Sequence, residues 1–478
     1  ADKTLKEKEE ILHNQMYKNA FEWRFEFLEI LDNEGNYIGF DAVIGNPPYI
    51  QLQKMGADSD ALQKVGYETF ARTGDIYSLF YELGNKILRN QGLLIFITSN
   101  KWMRAAYGES LRNFFLEKTD PIMLMDFGGS QIFDTATVDT NILMFSKDKN
   151  RQQTLACIVK EKVLNNLSVY VRQFGIRTQF SARESWTILS PIEQAIKGKI
   201  EALGTPLKEW QINIYRGVLT GYNEAFIIDK NTKEQLEAND PKSADVIRPI
   251  LRGRDIKRFS HEYADLYLIY IPWHFPLHED PDITGASEAA ESAFKAEFPA
   301  IYDHLCKFKK ELSKRNQAET GIRYEWYAMQ RWGANYSADF LKPKIIYPGI
   351  MRIAKSNTKN FPRFTLDENE KYFFGNDCYF ITGENLDYLW VFLNSTLMGY
   401  IFRYYIYSFD ETGYKIFTEY FQNIPIPIPN QELLEDAKTL RSEQNINQID
   451  NWVFNLIGLN RDERDEIMNA TDNLLGIL

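Results

Sequence analysis

The stretch Asn46-Pro47-Pro48-Tyr49 combines an amide and an aromatic ring with two rigid residues, and it directly follows the apolar run Phe40–Ile44. Such a corner suits chemistry on the exocyclic amine of adenine, whose lone pair is delocalised into the ring. Two acceptors that take both amine hydrogens draw the nitrogen toward tetrahedral geometry and free its lone pair for an electrophile. The side-chain oxygen of Asn46 and the backbone carbonyl of Pro47 are the candidate acceptors.

The two prolines stiffen this corner because the pyrrolidine ring fixes φ, so the acceptors are in place before a substrate arrives. Tyr49 is a candidate to stack on a base swung out of a duplex. The competing interpretation is an ordinary turn, since Asn-Pro and Pro-Pro are common turn dipeptides. The corner lies at the carboxyl end of an apolar strand, where open α/β sheets bind ligands, and this favours the catalytic interpretation.

The elements around the corner predict an α/β fold. Strands and helices that alternate along a chain are typical of a parallel or mixed sheet. Residues 147–189 show no clear pattern. After the strand Phe40–Ile44, the periodicity predicts a helix at Ile76–Leu88, a strand from Gly92 (LLIFITSN), a helix at Arg104–Leu116, and strands at Ile122–Phe127 and Thr140–Phe145.

The second half of the chain has a different pattern. A helix is predicted at Pro191–Leu203, and short aromatic and β-branched runs broken by Gly, Pro and Asn then indicate an α+β domain. Helical patterns recur near 292–315 and 385–403, and the tail predicts polar amphipathic helices. We therefore expect a catalytic region at 1–190, a linker helix at 191–205, a second domain at 206–430 and C-terminal helices at 431–478.

Composition excludes several classes of protein and site. The 478 residues are 44% hydrophobic and carry a net charge of −11, which argues against a generally basic nucleic-acid coat but not against a local basic groove. Cys157, Cys306 and Cys378 lie far apart and the five histidines are scattered, so we expect no disulfide framework and no metal site. The chain has no apolar run long enough to cross a membrane, and the cysteine pattern suits a reducing cytoplasm.

The sequence resembles the gamma class of DNA N6-adenine methyltransferases, in particular the methylase and specificity parts of Type IIG restriction–modification enzymes. The resemblance covers nearly the whole chain. The first half contributes FEWRFEFLEIL and GFDAVIGNPPYIQ, then residues 75–112 (DIYSLFYELGNKILRNQGLLIFITSNKWMRAAYGESLR) and 126–145 (DFGGSQIFDTATVDTNILMF). The second half contributes residues 205–229 (TPLKEWQINIYRGVLTGYNEAFIID), 246–259 (VIRPILRGRDIKRF), 340–350 (FLKPKIIYPGI) and 373–383 (FFGNDCYFITG).

This resemblance implies the C-terminal half of a Rossmann-like methyltransferase sheet, followed by an α+β target-recognition domain and a helical tail. It implies catalytic roles for Asn46, Pro47, Pro48 and Tyr49, with double-stranded DNA as the partner, in a prokaryotic cytoplasm. Phe133 best matches the family's second base-stacking aromatic, although a buried phenylalanine at a strand end is an equal alternative.

The resemblance also implies S-adenosylmethionine as the methyl donor. The family places its glycine-rich cofactor loop upstream of the catalytic corner, but only 45 residues precede Asn46 here and they contain no Gly-x-Gly. The pair Gly128-Gly129 lies in the wrong place along the chain and fits a strand-end turn. We therefore expect a fragment or one piece of a split enzyme. An N-terminal half or subunit would then carry the cofactor site and any nuclease, for which the isolated triplet Asp240–Lys242 is not sufficient.

A cluster of basic residues predicts contacts to DNA in the second half. Five cations lie within eleven residues against one acid, Asp255, and arginine forks bind phosphates or guanine edges. The alternative is a solvated charged face. The predicted DNA-binding residues are Arg248, Arg252, Arg254, Lys257 and Arg258, with Arg216, Lys342 and Lys344 as weaker candidates.

Three functions fit these patterns. The first is site-specific adenine methylation of DNA within a restriction–modification system, with DNA recognition by the second half. The second is a DNA-binding specificity module whose methylase remnant is inactive without an upstream half. The third is methylation of an amide in a protein or small molecule, against which the long recognition half argues.

Overall fold

The computed structural model describes residues 21–128, 139–159, 166–181, 185–318, 324–353, 360–369, 371–409 and 413–472. The chain divides into two compact units, Ala1–Ile188 and Leu189–Leu478. None of the described helices combines the length and the apolar character needed to span a bilayer.

The first unit is built on a mixed six-stranded sheet with the order β1-β2-β4-β3-β5-β6. Its strands are β1 (Phe40–Gly45), β2 (Leu88–Ser99), β3 (Asp120–Asp126), β4 (Thr140–Ser146), β5 (Thr154–Ile158) and β6 (Ile176–Thr178). The strand β1 pairs in parallel with β2, and β3 with β5, whereas β4 runs antiparallel to both of its neighbours. The predicted α/β sheet is therefore confirmed.

Helices and short 3-10 turns connect these strands. The α-helices are Trp23–Glu26, Ala57–Val65, Tyr77–Ile87, Glu109–Lys118 and Leu167–Phe174, and the 3-10 helices are Leu28–Ile30, Leu52–Lys54, Asn100–Met103 and Ala106–Gly108. The expected helix at Arg104–Leu116 begins later than predicted, because a 3-10 turn occupies its first residues. Residues 147–189, for which the sequence showed no clear pattern, contain β5, β6 and one helix.

Aromatic packing fixes the helix Tyr77–Ile87 on this sheet. The ring of Tyr81 lies 5.2 Å from that of Phe96 on β2 and 4.9 Å from that of Phe115 on the following helix. All three side chains are buried, together with Phe145 of β4. Truncating such a ring typically costs about 3–5 kcal/mol, so this cluster holds the strands that position the Asn46–Tyr49 corner.

The strand β1 lies at one edge of the described sheet. It pairs only with β2 among the described strands, and the side chain of Ile44 is 74% exposed. Phe25 and Leu28, which precede this strand, are also largely exposed. An apolar strand edge of this kind is a surface on which further strands pair in many proteins.

The second unit contains two four-stranded sheets, with the orders β15-β10-β11-β9 and β14-β12-β16-β8, and two smaller ones, β13-β18-β17 and β19-β7. The strands are β7 (Thr205–Pro206), β8 (Ile212–Arg216), β9 (Ile227–Asp229), β10 (Ile247–Leu251), β11 (Leu266–Ile269), β12 (Lys344–Pro348), β13 (Ile350–Arg352), β14 (Thr365–Asp367), β15 (Phe373–Phe374), β16 (Cys378–Gly383), β17 (Tyr407–Phe409), β18 (Gly413–Lys415) and β19 (Pro425–Ile426).

Helices complete the second unit. They are Pro191–Leu203, Asn223–Phe226, Lys230–Asn239, Glu288–Glu297, Pro299–Cys306, Lys309–Ala318, Leu386–Leu393, Thr396–Tyr405, Thr418–Phe421, Gln431–Glu443, Ile446–Ile457 and Arg461–Asp472, and the 3-10 turns are Leu207–Glu209, Pro241–Val246, Gly253–Asp255 and Ser337–Leu341.

The expected linker helix and C-terminal helices belong to the core of this unit. Ile196 and Ile200 of the helix Pro191–Leu203 are fully buried, as are Ala437 and Val453 of the C-terminal helices. All four pack in one cluster with the helices Leu386–Leu393 and Thr396–Tyr405, most of whose side chains are buried. Because such largely apolar helices must be covered, the polar tail helices fold onto them with their apolar faces.

Candidate functional site

The Asn46–Tyr49 corner begins where β1 ends, at the carboxyl edge of the sheet. Gly45 closes the strand, and a β-carbon at this glycine would lie 3.2 Å from the Phe96 ring on β2. Pro47 is buried, whereas Asn46 and Pro48 are exposed. The corner therefore presents the amide of Asn46 to solvent on a backbone that Pro47 anchors.

The hydroxyl of Tyr49 ties this corner to the neighbouring strand. It donates to Oδ1 of Asn46 at 2.8 Å and lies 3.3 Å from the carbonyl oxygen of Ile97 on β2. The Tyr49 ring meets the buried ring of Tyr77 edge-on, with 6.2 Å between centroids. Burial raises the pKa of Tyr49, so its hydroxyl stays protonated and available as a donor at neutral pH.

The amide of Asn46 has two possible orientations, and they differ in what they leave for a substrate. A tyrosine hydroxyl carries one hydrogen, so it cannot donate fully to both Asn46 and Ile97. With the amide turned by 180°, its NH₂ donates to Tyr49 while the Tyr49 hydroxyl donates to the Ile97 carbonyl. That orientation satisfies both contacts and leaves Oδ1 of Asn46 open as an acceptor.

Asp75 is a neighbouring residue that the sequence analysis did not single out. It forms an antiparallel bridge with Gln51, and the backbone NH of Ile76 donates to the carbonyl of Ile50, directly after the corner. Burial raises the pKa of Asp75, and Lys101 and Lys54 oppose this shift from a distance. Within the described residues its carboxylate has no hydrogen-bond or ion-pair partner. A single acidic residue before a helix is not a recognisable motif, so the sequence did not identify Asp75 as a candidate.

A second polar network joins the same edge of the sheet. Asp126, at the end of β3, is buried and accepts from the amide of Asn100 at 2.8 Å and from the backbone NH of Gly128 at 3.0 Å. The amide of Asn141 on β4 donates to the carbonyl of Ser99 at 2.9 Å. These contacts hold the ends of β2, β3 and β4 together beside the corner. Phe133, the second candidate for base stacking, lies outside the described residues.

Comparisons with known proteins match both halves of the chain. Residues 2–133 match the Eco57I restriction-modification methylase family, and residues 248–426 match the TaqI-like C-terminal specificity domain. Both halves of the chain are therefore similar to parts of Type II restriction–modification methyltransferases.

Two relatives show this over most of the chain. The Type II methyltransferase M.BanIII of Aneurinibacillus aneurinilyticus is 24% identical, and the match covers 91% of this chain and 80% of the relative. The Type II methyltransferase M.BstVI of Geobacillus stearothermophilus is 21% identical, with 94% and 78% covered.

A solved structure shares the fold. The Type IIL restriction–modification enzyme MmeI, determined in complex with DNA, superposes with a TM-score of 0.50 at 14% identity and over 91% of this chain. The chain spans about half the length of MmeI, 53% of that chain.

The predicted DNA-binding cations are not equivalent in the structure. Arg252 forms a two-pronged contact with the buried carboxylate of Asp255, at 2.8 and 2.9 Å. The guanidinium of Arg248 donates to three backbone carbonyls within residues 244–247. Both side chains therefore hold their own segment of the second unit in place.

Two further cations make internal contacts, and for Lys344 this corrects the predicted contact with DNA. The side chain of Lys344 is completely buried and pairs with Asp367 at 2.8 Å, so it cannot reach a phosphate. Arg258 donates twice to the backbone carbonyl of Asn394, at 2.6 and 2.9 Å, and burial lowers the pKa of Arg258 to about 10.

The remaining four candidates lie nearer the surface. Lys257 pairs with Glu262 at 3.1 Å, and Lys342 pairs with Asp339 at 2.9 Å. Arg216 and Arg254 are exposed, and neither forms an ion pair within the part of the chain that the structure describes. The structure does not bring together a group of three or more metal-ligating side chains in that same part.

Proposed function

We propose that this chain is the catalytic and specificity portion of a DNA adenine N6-methyltransferase that serves a restriction–modification system. The observation that carries the proposal is the amide of Asn46. It is exposed at the carboxyl edge of the sheet, inside the segment that matches the methylase family, and Tyr49 holds it in place.

The proposed chemistry needs two fixed acceptors. The Oδ1 atom of Asn46 and the backbone carbonyl of Pro47 would each accept one hydrogen of the adenine N6 amine. Because the acceptors are held by the Tyr49 hydroxyl and by the proline ring, they need no reorganisation when the base arrives. A bound sulfonium donor would supply the methyl carbon to the amine nitrogen and would keep the electron pair of the broken sulfur–carbon bond as a neutral thioether, while the amine would lose its extra proton to solvent.

The target adenine must leave the helical stack to reach this corner. The ring of Tyr49 is half-buried against Tyr77, so one face of the corner is already lined with an aromatic surface. Stacking on Tyr49 would orient the base while its amine meets Asn46. Phe133 stays a proposed partner for the other face of the base.

S-adenosylmethionine would supply the methyl group. The residues present fit it only in part, since the sequence before Asn46 has no Gly-x-Gly and the described sheet ends at β1. Asp75 is the one acid beside the corner that has no partner among the described residues. Its carboxylate could accept a hydrogen bond from such a ligand. An upstream half or a partner subunit is proposed to complete the cofactor site.

The test is a methylation assay with the product of the complete gene, S-adenosylmethionine labelled in the methyl group, and genomic DNA. Mass spectrometry of the digested DNA should show N6-methyladenine. Label in cytosine, or none in DNA, would overturn the proposal. The alternative function, a specificity module with an inactive methylase remnant, predicts sequence-specific DNA binding without any label.

A further inference from the structure

Two exposed arginines converge on one aromatic surface of the second unit. Arg216 ends β8, and its Nε donates to the carbonyl of Asn376 at 2.7 Å. Its guanidinium carbon lies 5.7 Å from the centroid of the Tyr379 ring. The Arg216 side chain therefore lies across β16, and most of its guanidinium group stays exposed.

Arg331 reaches the same surface from another segment. Its backbone pairs in both directions with Leu219, three residues after Arg216. Burial raises the pKa of Tyr336 and of Tyr379, and the charges of Arg331 and Arg216 oppose the shift at both phenols. Both guanidinium groups therefore lie near the same two rings. Arg331 is exposed, and its side chain has no hydrogen bond or ion pair to any described residue.

Stacked rings give this surface a rigid base. Tyr215 and Tyr336 lie face to face, with 4.5 Å between centroids and 6° between planes. The hydroxyl of Tyr336 donates to the backbone carbonyl of Arg216 at 3.0 Å, which fixes the strand end that carries the arginine. Because the rings and the strand end are packed and its Nε is hydrogen-bonded, Arg216 is presented at little entropic cost.

We propose that Arg216 and Arg331, presented beside Tyr336 and Tyr379, form a face that binds the phosphate backbone of duplex DNA. The inference rests on the proposed function and adds Arg331, which the sequence analysis did not consider. Arginine forks match phosphate oxygens, and phosphate contacts position a protein on DNA without reading its sequence.

The charge balance of the face favours an anion. Glu419 is the acid that acts on Tyr379 from nearby, and it offsets one of the two arginines. Asp377 adjoins the acceptor Asn376, and its carboxylate, which accepts from the backbone NH of Gly253 at 2.8 Å, offsets a second positive charge. Arg254 follows that glycine directly, is exposed, and adds a third positive charge beside the same loop. The local balance is positive in a chain whose net charge is −11.

The experiment is the salt dependence of binding to a duplex of arbitrary sequence, about 30 base pairs, measured by fluorescence anisotropy with the complete protein. Each phosphate contact adds roughly 0.9 to the slope of log affinity against log salt. The double variant Arg216→Ala/Arg331→Ala should therefore flatten the slope by about two units. The variant Arg216→Lys/Arg331→Lys should recover most of the slope, since it keeps both charges.

A matched control removes two cations elsewhere in the same unit. Arg461 and Lys438 lie on C-terminal helices, with side chains 93% and 58% exposed, so Arg461→Ala/Lys438→Ala makes an equal change in net charge. The slope of this control should stay within about half a unit of the wild type.

Three outcomes would overturn the inference. One is a double alanine variant that keeps the wild-type slope, and another is a control that loses as much slope as that variant. The third is a loss of affinity for one sequence alone with the slope unchanged, which would mean that the arginines read bases. Failure of the wild-type protein to bind any duplex would instead remove the proposed function.

Discussion

The hydroxyl of Tyr49 lies 2.8 Å from the side-chain oxygen of Asn46, so the aromatic ring and the amide of the corner form one hydrogen-bonded unit. This contact gives Tyr49 two separable tasks in the proposed reaction. The ring can stack on the target base, and with the amide of Asn46 turned by 180° the hydroxyl accepts from its NH₂ and leaves Oδ1 open.

The first prediction separates these two tasks of Tyr49. Tyr49→Phe keeps the ring but loses the hydrogen bond, so the turnover number should fall by about tenfold, on the scale of one neutral hydrogen bond, while KM for DNA stays nearly unchanged. Tyr49→Ala removes the ring as well and should weaken binding of the flipped base by a further 1–3 kcal/mol, roughly. Equal effects of the two substitutions would assign the whole role to the hydroxyl.

The second prediction concerns Asn46. If its oxygen accepts an adenine hydrogen, Asn46→Ala should lower the methylation rate by about 10²–10³-fold, because one preorganised acceptor is lost. Binding of duplex DNA should be almost unaffected, since the amide makes no phosphate contact in this proposal. Asn33→Ala, at an exposed turn in the same unit, is the matched control and should leave both properties unchanged. Normal turnover by the Asn46 variant would contradict the assignment.

The sequence predicted the strongly periodic elements of the first unit well. The helix Tyr77–Ile87 and the strands β1, β3 and β4 all lie within about two residues of their predicted positions, because each buries a regular face against the same aromatic core. It gave no position for β5 or β6. The strands β5 and β6 have only five and three residues, which is too short for a clear periodic pattern. Their strand conformation depends on pairing, of β5 with β3 and of β6 with β5.

The basic residues show why a local motif could not identify the DNA contacts. Arg258 lies in the cluster that the sequence selected, yet its acceptor is the carbonyl of Asn394, 136 residues away. Nothing near Lys344 in the sequence shows that Asp367 will bury and neutralise it. Conversely, Arg331 stands outside any cluster and becomes part of a basic face only through the fold. The density of charged residues along the chain therefore identified candidate DNA-binding cations, but it could not show which of their side chains are exposed.

The third prediction concerns the stability effect of Asp75. Burial raises its folded-state pKa, so the charged form destabilises the folded protein above that pKa. Asp75→Asn should raise the melting temperature at pH 7, and the gain should shrink as the pH falls through the raised folded-state pKa, below which the wild-type carboxyl is protonated. The same substitution should lower methylation, because a carboxylate that costs stability beside the corner is expected to bind a ligand.

Asp58 provides a control for Asp75, because removing its charge should have the opposite effect on the melting temperature. Asp58 is exposed in the first turn of the helix Ala57–Val65, where a negative charge interacts favourably with the helix dipole. Asp58→Asn should therefore lower the melting temperature slightly at pH 7 and leave methylation intact. If Asp75→Asn also lowers the melting temperature, its carboxylate has a stabilising partner and the interpretation fails.

The fourth prediction compares two lysines that the sequence treated alike. Lys344 is completely buried and pairs with Asp367, which also accepts from the backbone NH groups of Lys371 and Tyr372. Lys344→Ala leaves that carboxylate buried without its counter-charge, so chemical denaturation should show a loss of about 3–5 kcal/mol in the free energy of unfolding. Lys342→Ala removes an exposed ammonium from Asp339, whose carboxylate keeps its hydrogen bond from Thr382, so the loss should be smaller than for Lys344→Ala. At salt and temperature where both variants are folded, the slope of DNA affinity against salt should be unchanged for Lys344→Ala, because its ammonium never meets solvent. A fall of one unit in that slope would show that the lysine does reach a phosphate.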